Sequence, residues 1–301
     1  MKSLFSPGKL LLTSEYFVLD GALALAVPTK LGQEFFFEEI ANQQSLIVWE
    51  AFHQNKLWLK AIINYSTWRV LETNIPNSTE FIVKVLKNVQ NLSNTKFQDT
   101  VSYFLKTNLQ FPSDYGLGSS STLMNNLAMW SSIDAFKLND LSLGGSGYDV
   151  AVAKENSAIL FQIKNQQRIS QTIDFKPPFK DELIFIHLNQ KQDSREGIRL
   201  YKSKEKSEDL ILYLSELTQN VLRTETLTEF SELMEAHEEK LAQFLDIETV
   251  KNKFFKDCPS FVKSLGAWGG DFVMSSKFDG YKEYFASKGF FNAFDYSSLI
   301  N

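Results

Sequence analysis

Apolar and polar positions divide the chain into strand-like and helix-like stretches. Lys9–Leu12, Tyr16–Leu19 and Ala22–Val27 are short apolar runs, the second closed by the turn signal Asp20-Gly21 and the third by Pro28. Gln33–Ile40 and Ser45–Phe52 continue a β-rich opening. Phe81, Ile82, Val85, Leu86 and Val89 then recur at helical spacing and predict a helix over Thr79–Leu92. A strand is expected over Thr100–Leu109, and a helix over Ser119–Ala135, where Leu123, Leu127, Trp130 and Ile133 share one face. In the second half, Ser157–Ile163 and Glu182–Leu188 read as strands. Leu210–Val221 and Phe230–Phe244 read as amphipathic helices, the second with His237 on its packing face. A short helix near Phe261, a glycine-rich turn over Leu265–Asp271 and a strand from Phe272 to Met274 follow. Strand-rich and helix-rich stretches alternate in both halves without a strict βαβ period, which predicts an α+β protein of two lobes.

A length of 301 residues, 44% of them hydrophobic, supplies a core and rules out global disorder. With 36 acidic against 31 basic residues the net charge is -5, which argues against nucleic-acid partners while leaving room for a local anion pocket. One cysteine, Cys258, excludes a cysteine zinc site, and three scattered histidines argue against a histidine-rich metal site. No apolar run reaches the roughly 18 residues of a membrane span, and Pro7, Gly8, Lys9 and Glu15 interrupt any signal core. The expectation is a cytoplasmic protein with no membrane partner, monomeric or homodimeric.

Three glycine-rich clusters carry the candidate chemistry. Gly116-Leu117-Gly118-Ser119-Ser120-Ser121 runs directly into a helix. Glycines admit positive φ, and free N–H groups at a helix N-terminus attract anions, so this segment suits a phosphate. The plain alternative is a turn with a serine cap. It lacks the Gly-Lys-Ser/Thr of a Walker A loop. Gly144-Gly145-Ser146-Gly147 precedes Tyr148-Asp149 and either presents Asp149 into a tight site or opens a helix with a first-turn acid. Leu265–Asp271 either flanks a phosphate or is a simple turn.

Taken in order, the clusters resemble the GHMP kinases (galactokinase, homoserine kinase, mevalonate kinase and phosphomevalonate kinase). Ser6-Pro7-Gly8-Lys9 with Glu15-Tyr16 is similar to the family's first motif, Pro112 with Gly116–Ser120 to its second, and Val262–Asp271 to its third. Gly145–Ala151 resembles the corresponding segment of the phosphomevalonate kinases. The resemblance implies a two-lobed fold: an N-terminal α/β lobe with a left-handed βαβ crossover over residues 1–165, and a C-terminal ferredoxin-like lobe over 166–301. It implies ATP on Gly116–Ser121, Mg²⁺ near Ser120, Asp149 as general base and Lys9 beside it, and a small-molecule acceptor such as mevalonate or phosphomevalonate.

Three departures from the family pattern stand out. Trp268 occupies a third-motif glycine position, Ser121 replaces a small apolar residue, and no glutamate lies between Ser120 and Asp149, where the family has a metal ligand; Asp134 and Asp140 are the only acids there. The alternative is therefore a metabolite- or nucleotide-binding relative without turnover. Lys191 and Arg195 either hold an acidic substrate group or are solvated loop charges.

Overall fold

The computed structural model describes residues 1–97, 101–190, 194–266 and 270–301, without the side chains of Ser194 and Arg195. The chain divides into two compact units that alternate along the sequence. The first comprises Met1–Gly8, Leu31–Ser113 and Leu117–Asn156; the second comprises Lys9–Lys30, Asp114–Gly116 and Ser157–Asn301.

Strands β1 (Lys2–Leu11) and β2 (Ala24–Ala41) each contribute to both units and pair with one another. In the first unit follow β3 (Leu46–His53), β4 (Lys56–Asn64), β5 (Arg69–Thr73), α1 (Pro76–Leu92), β6 (Val101–Leu109), α2 (Ser119–Ser131), α3 (Ala135–Ser142) and α4 (Tyr148–Glu155). Its sheet has the order β5-β4-β3-β6-β2. In that order β3 and β6 pair in parallel, whereas β5–β4, β4–β3 and β6–β2 are antiparallel. Helix α1 buries Ile82, Val85, Leu86 and Val89, the face its spacing predicts. Trp130 of α2 meets Phe97 and Tyr103 edge to face, joining the helix to the sheet core.

In the second unit, β7 (Ala158–Lys164) and β8 (Gln167–Ile173) extend from the start of β2. Then come β9 (Leu183–His187), α5 (Ser194–Ser203), α6 (Glu208–Val221), α7 (Leu227–Leu245), α8 (Val250–Phe254), β10 (Val262–Leu265), β11 (Phe272–Ser276), α9 (Tyr281–Ser287), β12 (Ala293–Asp295) and α10 (Tyr296–Leu299). The four strands β10-β11-β9-β12 form an antiparallel sheet in that order. With the helices between them, this is the ferredoxin-like βαββαβ arrangement. Ile184, Ile186, Val262 and Val273 pack under Phe255 and Phe285 in its core.

Four sequence expectations are corrected. The run Tyr16–Leu19 is not a strand: the chain turns at Tyr16, with φ 63°, into the 3₁₀ turn Phe17–Asp20. Consecutive Phe17 and Val18 are both buried, which the alternation of a one-sided strand does not permit. Pro28 does not end its strand, because β2 runs through it; a missing N–H is tolerated where the ladder does not need it. The helix expected near Phe261 lies earlier, at Val250–Phe254, and Val262 opens β10 instead. The predicted helix Ser119–Ala135 breaks at Ser132, which adopts the left-handed conformation and starts α3 afresh.

Candidate functional site

In the first unit, Gly118 stands at the N-cap of α2 with φ 85°, and no side chain caps the helix. The ladder begins with the Thr122 N–H donating to the Gly118 carbonyl at 3.0 Å. The N–H groups of Ser119, Ser120 and Ser121 therefore precede the intrahelical ladder, at the positive end of the helix dipole. Ser120 is exposed and Ser119 half-buried. Ser121 is buried and its hydroxyl donates to the Gly118 carbonyl at 2.8 Å, so its side chain shapes the loop while its N–H belongs to the helix end. Leu117 is wholly buried and anchors the loop in the core.

A second helix start in the same unit repeats the pattern. Gly144, Gly145 and Gly147 have φ of 78°, 92° and 88°. A Cβ on Gly144 or Gly145 would meet open space, so conformation and not crowding calls for glycine there. Gly147 caps α4 without a side-chain bond. Asp149 lies in the first turn, half-buried, where its Oδ1 accepts the Val150 N–H at 3.0 Å. Asp134, one of the two acids before it, caps α3 by accepting the Lys137 N–H at 2.8 Å.

In the second unit, Lys9 is buried and its Nζ donates to the Gly116 carbonyl at 2.9 Å. Gly116 has φ 67°, and any Cβ there would collide with the carboxylate of Asp271. Asp271 is buried and joins the β9 end of the sheet by accepting the Leu188 N–H and donating its own N–H to Gln190. Gly116 of one glycine-rich cluster thus rests against Asp271 at the end of another, a contact the sequence does not assign. Trp268 and Gly269, like Lys191, lie outside the described residues, as does the Arg195 side chain.

A charged cluster that sequence reasoning did not assemble lies in the same unit. Lys263 of β10, fully buried, donates to Glu15 Oε1 at 2.6 Å and stands 3.9 Å from Glu238 Oε2. Glu238 also accepts the Ser264 N–H and hydroxyl. His237 Nε2 accepts the Ser14 N–H at 2.7 Å, 3.5 Å from Glu15 Oε2. The histidine is a fully buried acceptor, consistent with a packing role. Glu15 Oε2 and His237 Nδ1 have no hydrogen-bond partner.

Burial raises the Glu15 carboxyl above its ordinary range, opposed by Lys263; burial, and then Lys263, hold His237 well below 6.5. A histidine depressed in the folded state contributes stability that is present above its unfolded value and lost as pH falls below it; a raised carboxyl has the opposite slope. His237→Gln, whose amide oxygen can still accept the Ser14 N–H, removes only the first. Urea unfolding at about pH 7.5 and 5.5 should show wild type losing more stability on acidification than the variant, by up to about 1.4 kcal/mol per pH unit below 6.5. Parallel losses would count against a neutral buried His237.

Among the described residues no cluster of three or more His, Cys, Asp or Glu could hold a metal ion. The exposed Ser120 hydroxyl beside free helix N–H groups fits a magnesium ion brought by nucleotide phosphates, which needs few protein ligands.

No protein-family profile matches the chain, and no curated protein matches it. Solved structures do. The mevalonate kinase of Methanococcus jannaschii is similar at a TM-score of 0.67 and 18% identity, over 97% of this chain and 96% of that one. The phosphomevalonate kinase of Streptococcus pneumoniae, in complex with phosphomevalonate and AMPPNP, is similar at a TM-score of 0.71 and 16% identity, over 98% and 99%. The galactokinase of Lactococcus lactis, complexed with galactose, is similar at a TM-score of 0.66 and 11% identity, over 96% and 88%. The chain has the fold these kinases share, that of the GHMP kinases.

Proposed function

We propose that the protein is an ATP-dependent kinase of a small-molecule acceptor, with mevalonate or phosphomevalonate as the first candidates. The observation that carries this is the pair of uncapped, glycine-preceded helix starts in one unit, the first rich in hydroxyls and the second bearing Asp149. Phosphoryl transfer asks for a place to hold phosphates and for a group to take the acceptor's proton, and these two elements offer one each. The N–H groups of Gly118–Ser121 hold the phosphates, with Gly116 and Leu117 fixing the loop. Asp149 accepts the proton of the attacking oxygen. Lys9 supplies an ammonium that neutralises the transferring phosphoryl group. Magnesium, held at Ser120 and by the phosphates, would supply further charge neutralisation.

A nucleotide-binding protein without turnover is the second reading, favoured by the lack of any glutamate between Ser120 and Asp149. A binder has no use for a base, which favours the kinase.

Phosphoryl transfer from ATP to mevalonate, phosphomevalonate, homoserine or galactose, read as ADP formed and as product mass, tests the reading. A phosphorylated product supports it; ATP binding with no product from any acceptor supports the second. Gly118→Val should weaken ATP binding at least about tenfold, because a β-branched residue opposes positive φ and fills the space a phosphate approaches. Calorimetry of the folded variant checks it, and unchanged affinity would remove this loop from the phosphate site.

A further inference from the structure

Helix α2 buries two asparagines, Asn125 and Asn126, at positions where an amphipathic helix would carry aliphatic side chains. Their amides form a directed chain of hydrogen bonds. Asn125 Nδ2 donates to the Ala153 carbonyl of α4 at 3.0 Å and to Ser6 Oγ of β1 at 2.9 Å. Ser6 Oγ donates to Asn126 Oδ1 at 2.9 Å, and Asn126 Nδ2 donates to the Gln33 carbonyl of β2 at 2.9 Å. The three side chains are buried, as are Gln33 and Ala153, and all five residues lie in the first unit.

The Ala153 carbonyl belongs to the last turn of α4, where carbonyls have no partner within the helix. Asp149 precedes Ala153 by one helical turn and so lies on the same face. A single amide on α2 therefore grips α4 on the face that bears Asp149. An apolar pair of the same size would fill the space without needing partners, so the amides add direction more than burial.

We propose that Asn125 is a positioning residue: with Ser6 and Asn126 it forms a polar seam that fixes α4, and with it Asp149, against the helix whose N-terminus holds the phosphates. This rests on the kinase reading for its catalytic consequence, but not for its structural one.

The test is Asn125→Leu, of similar volume and without donors. In hydrogen exchange of the native protein, the peptide spanning α4 should exchange at least about tenfold faster than in wild type, while α1 is unchanged. This needs no substrate, so failure to find an acceptor would overturn the kinase reading and leave this arm to decide. With a turned-over acceptor, kcat should fall at least about tenfold and the KM for ATP stay within about twofold. In an Asp149→Asn background the same change should lower kcat no further, since both then act on one group. Additive losses, or wild-type exchange in α4 together with wild-type kcat, would overturn the proposal. Should Asn125→Leu fail to fold, Ser6→Ala removes the hydroxyl at the centre of the seam, and the same readouts decide.

Discussion

Asp149→Asn is expected to lower turnover at least about a hundredfold, the scale of a lost general base, while ATP binds with nearly unchanged affinity. The substitution is close to isosteric. Its amide oxygen can still accept the Val150 N–H that Asp149 Oδ1 accepts at 3.0 Å, so α4 keeps its first turn. What disappears is the capacity to take a proton. Steady-state rates with saturating ATP and acceptor, set beside calorimetric ATP binding, separate the two effects. Turnover within a few-fold of wild type would remove Asp149 from the mechanism.

Lys263→Met carries the largest expected cost in stability, about 3–5 kcal/mol, because it leaves buried carboxylates without their cation. Glu15 and Glu238 both face Lys263, at 2.6 and 3.9 Å. Glu15 Oε2 already lacks a hydrogen-bond partner, and its neighbour His237 Nε2, 3.5 Å away, is committed to accepting the Ser14 N–H and does not replace the lost ammonium. Adding Glu15→Gln to Lys263→Met should restore part of the loss, since burying a neutral amide costs less than burying an unpaired carboxylate. Chemical denaturation at neutral pH measures both. A loss under about 1 kcal/mol for the single variant would mean that Glu15 is protonated in the folded protein.

The parts of this protein that were legible from sequence are those with local causes. The helical spacing of Ile82, Val85 and Val89 found α1, and the glycines of Gly116–Ser119 and Gly144–Gly147 marked both helix starts, because left-handed backbone favours glycine. Tyr16–Leu19 misled because an apolar run does not state whether alternate or consecutive side chains are buried. Asn125 and Asn126 gave no sequence signal of their buried bonds, because their partners Ser6 and Ala153 stand far off in sequence. Glu15 was visible as part of a motif, but nothing local foretells that its counter-ion is Lys263. Asp271 closed a glycine-rich segment, yet only the folded chain brings its carboxylate against Gly116.

Glu15 and Lys263 are 248 positions apart. The last residue of the first unit is Asn156, whereas the second contains Lys9–Lys30 and runs to Asn301. During synthesis, then, the first unit has all its residues while the segment carrying Glu15 still waits for the chain that will bury it. At about 5–20 residues per second that wait is roughly 12–50 s. For that interval Glu15 must stay hydrated, and its charge favours this. A nascent chain halted before Lys263 should therefore expose Lys9–Lys30 to protease while Leu31–Ser113 and Leu117–Asn156 already resist it.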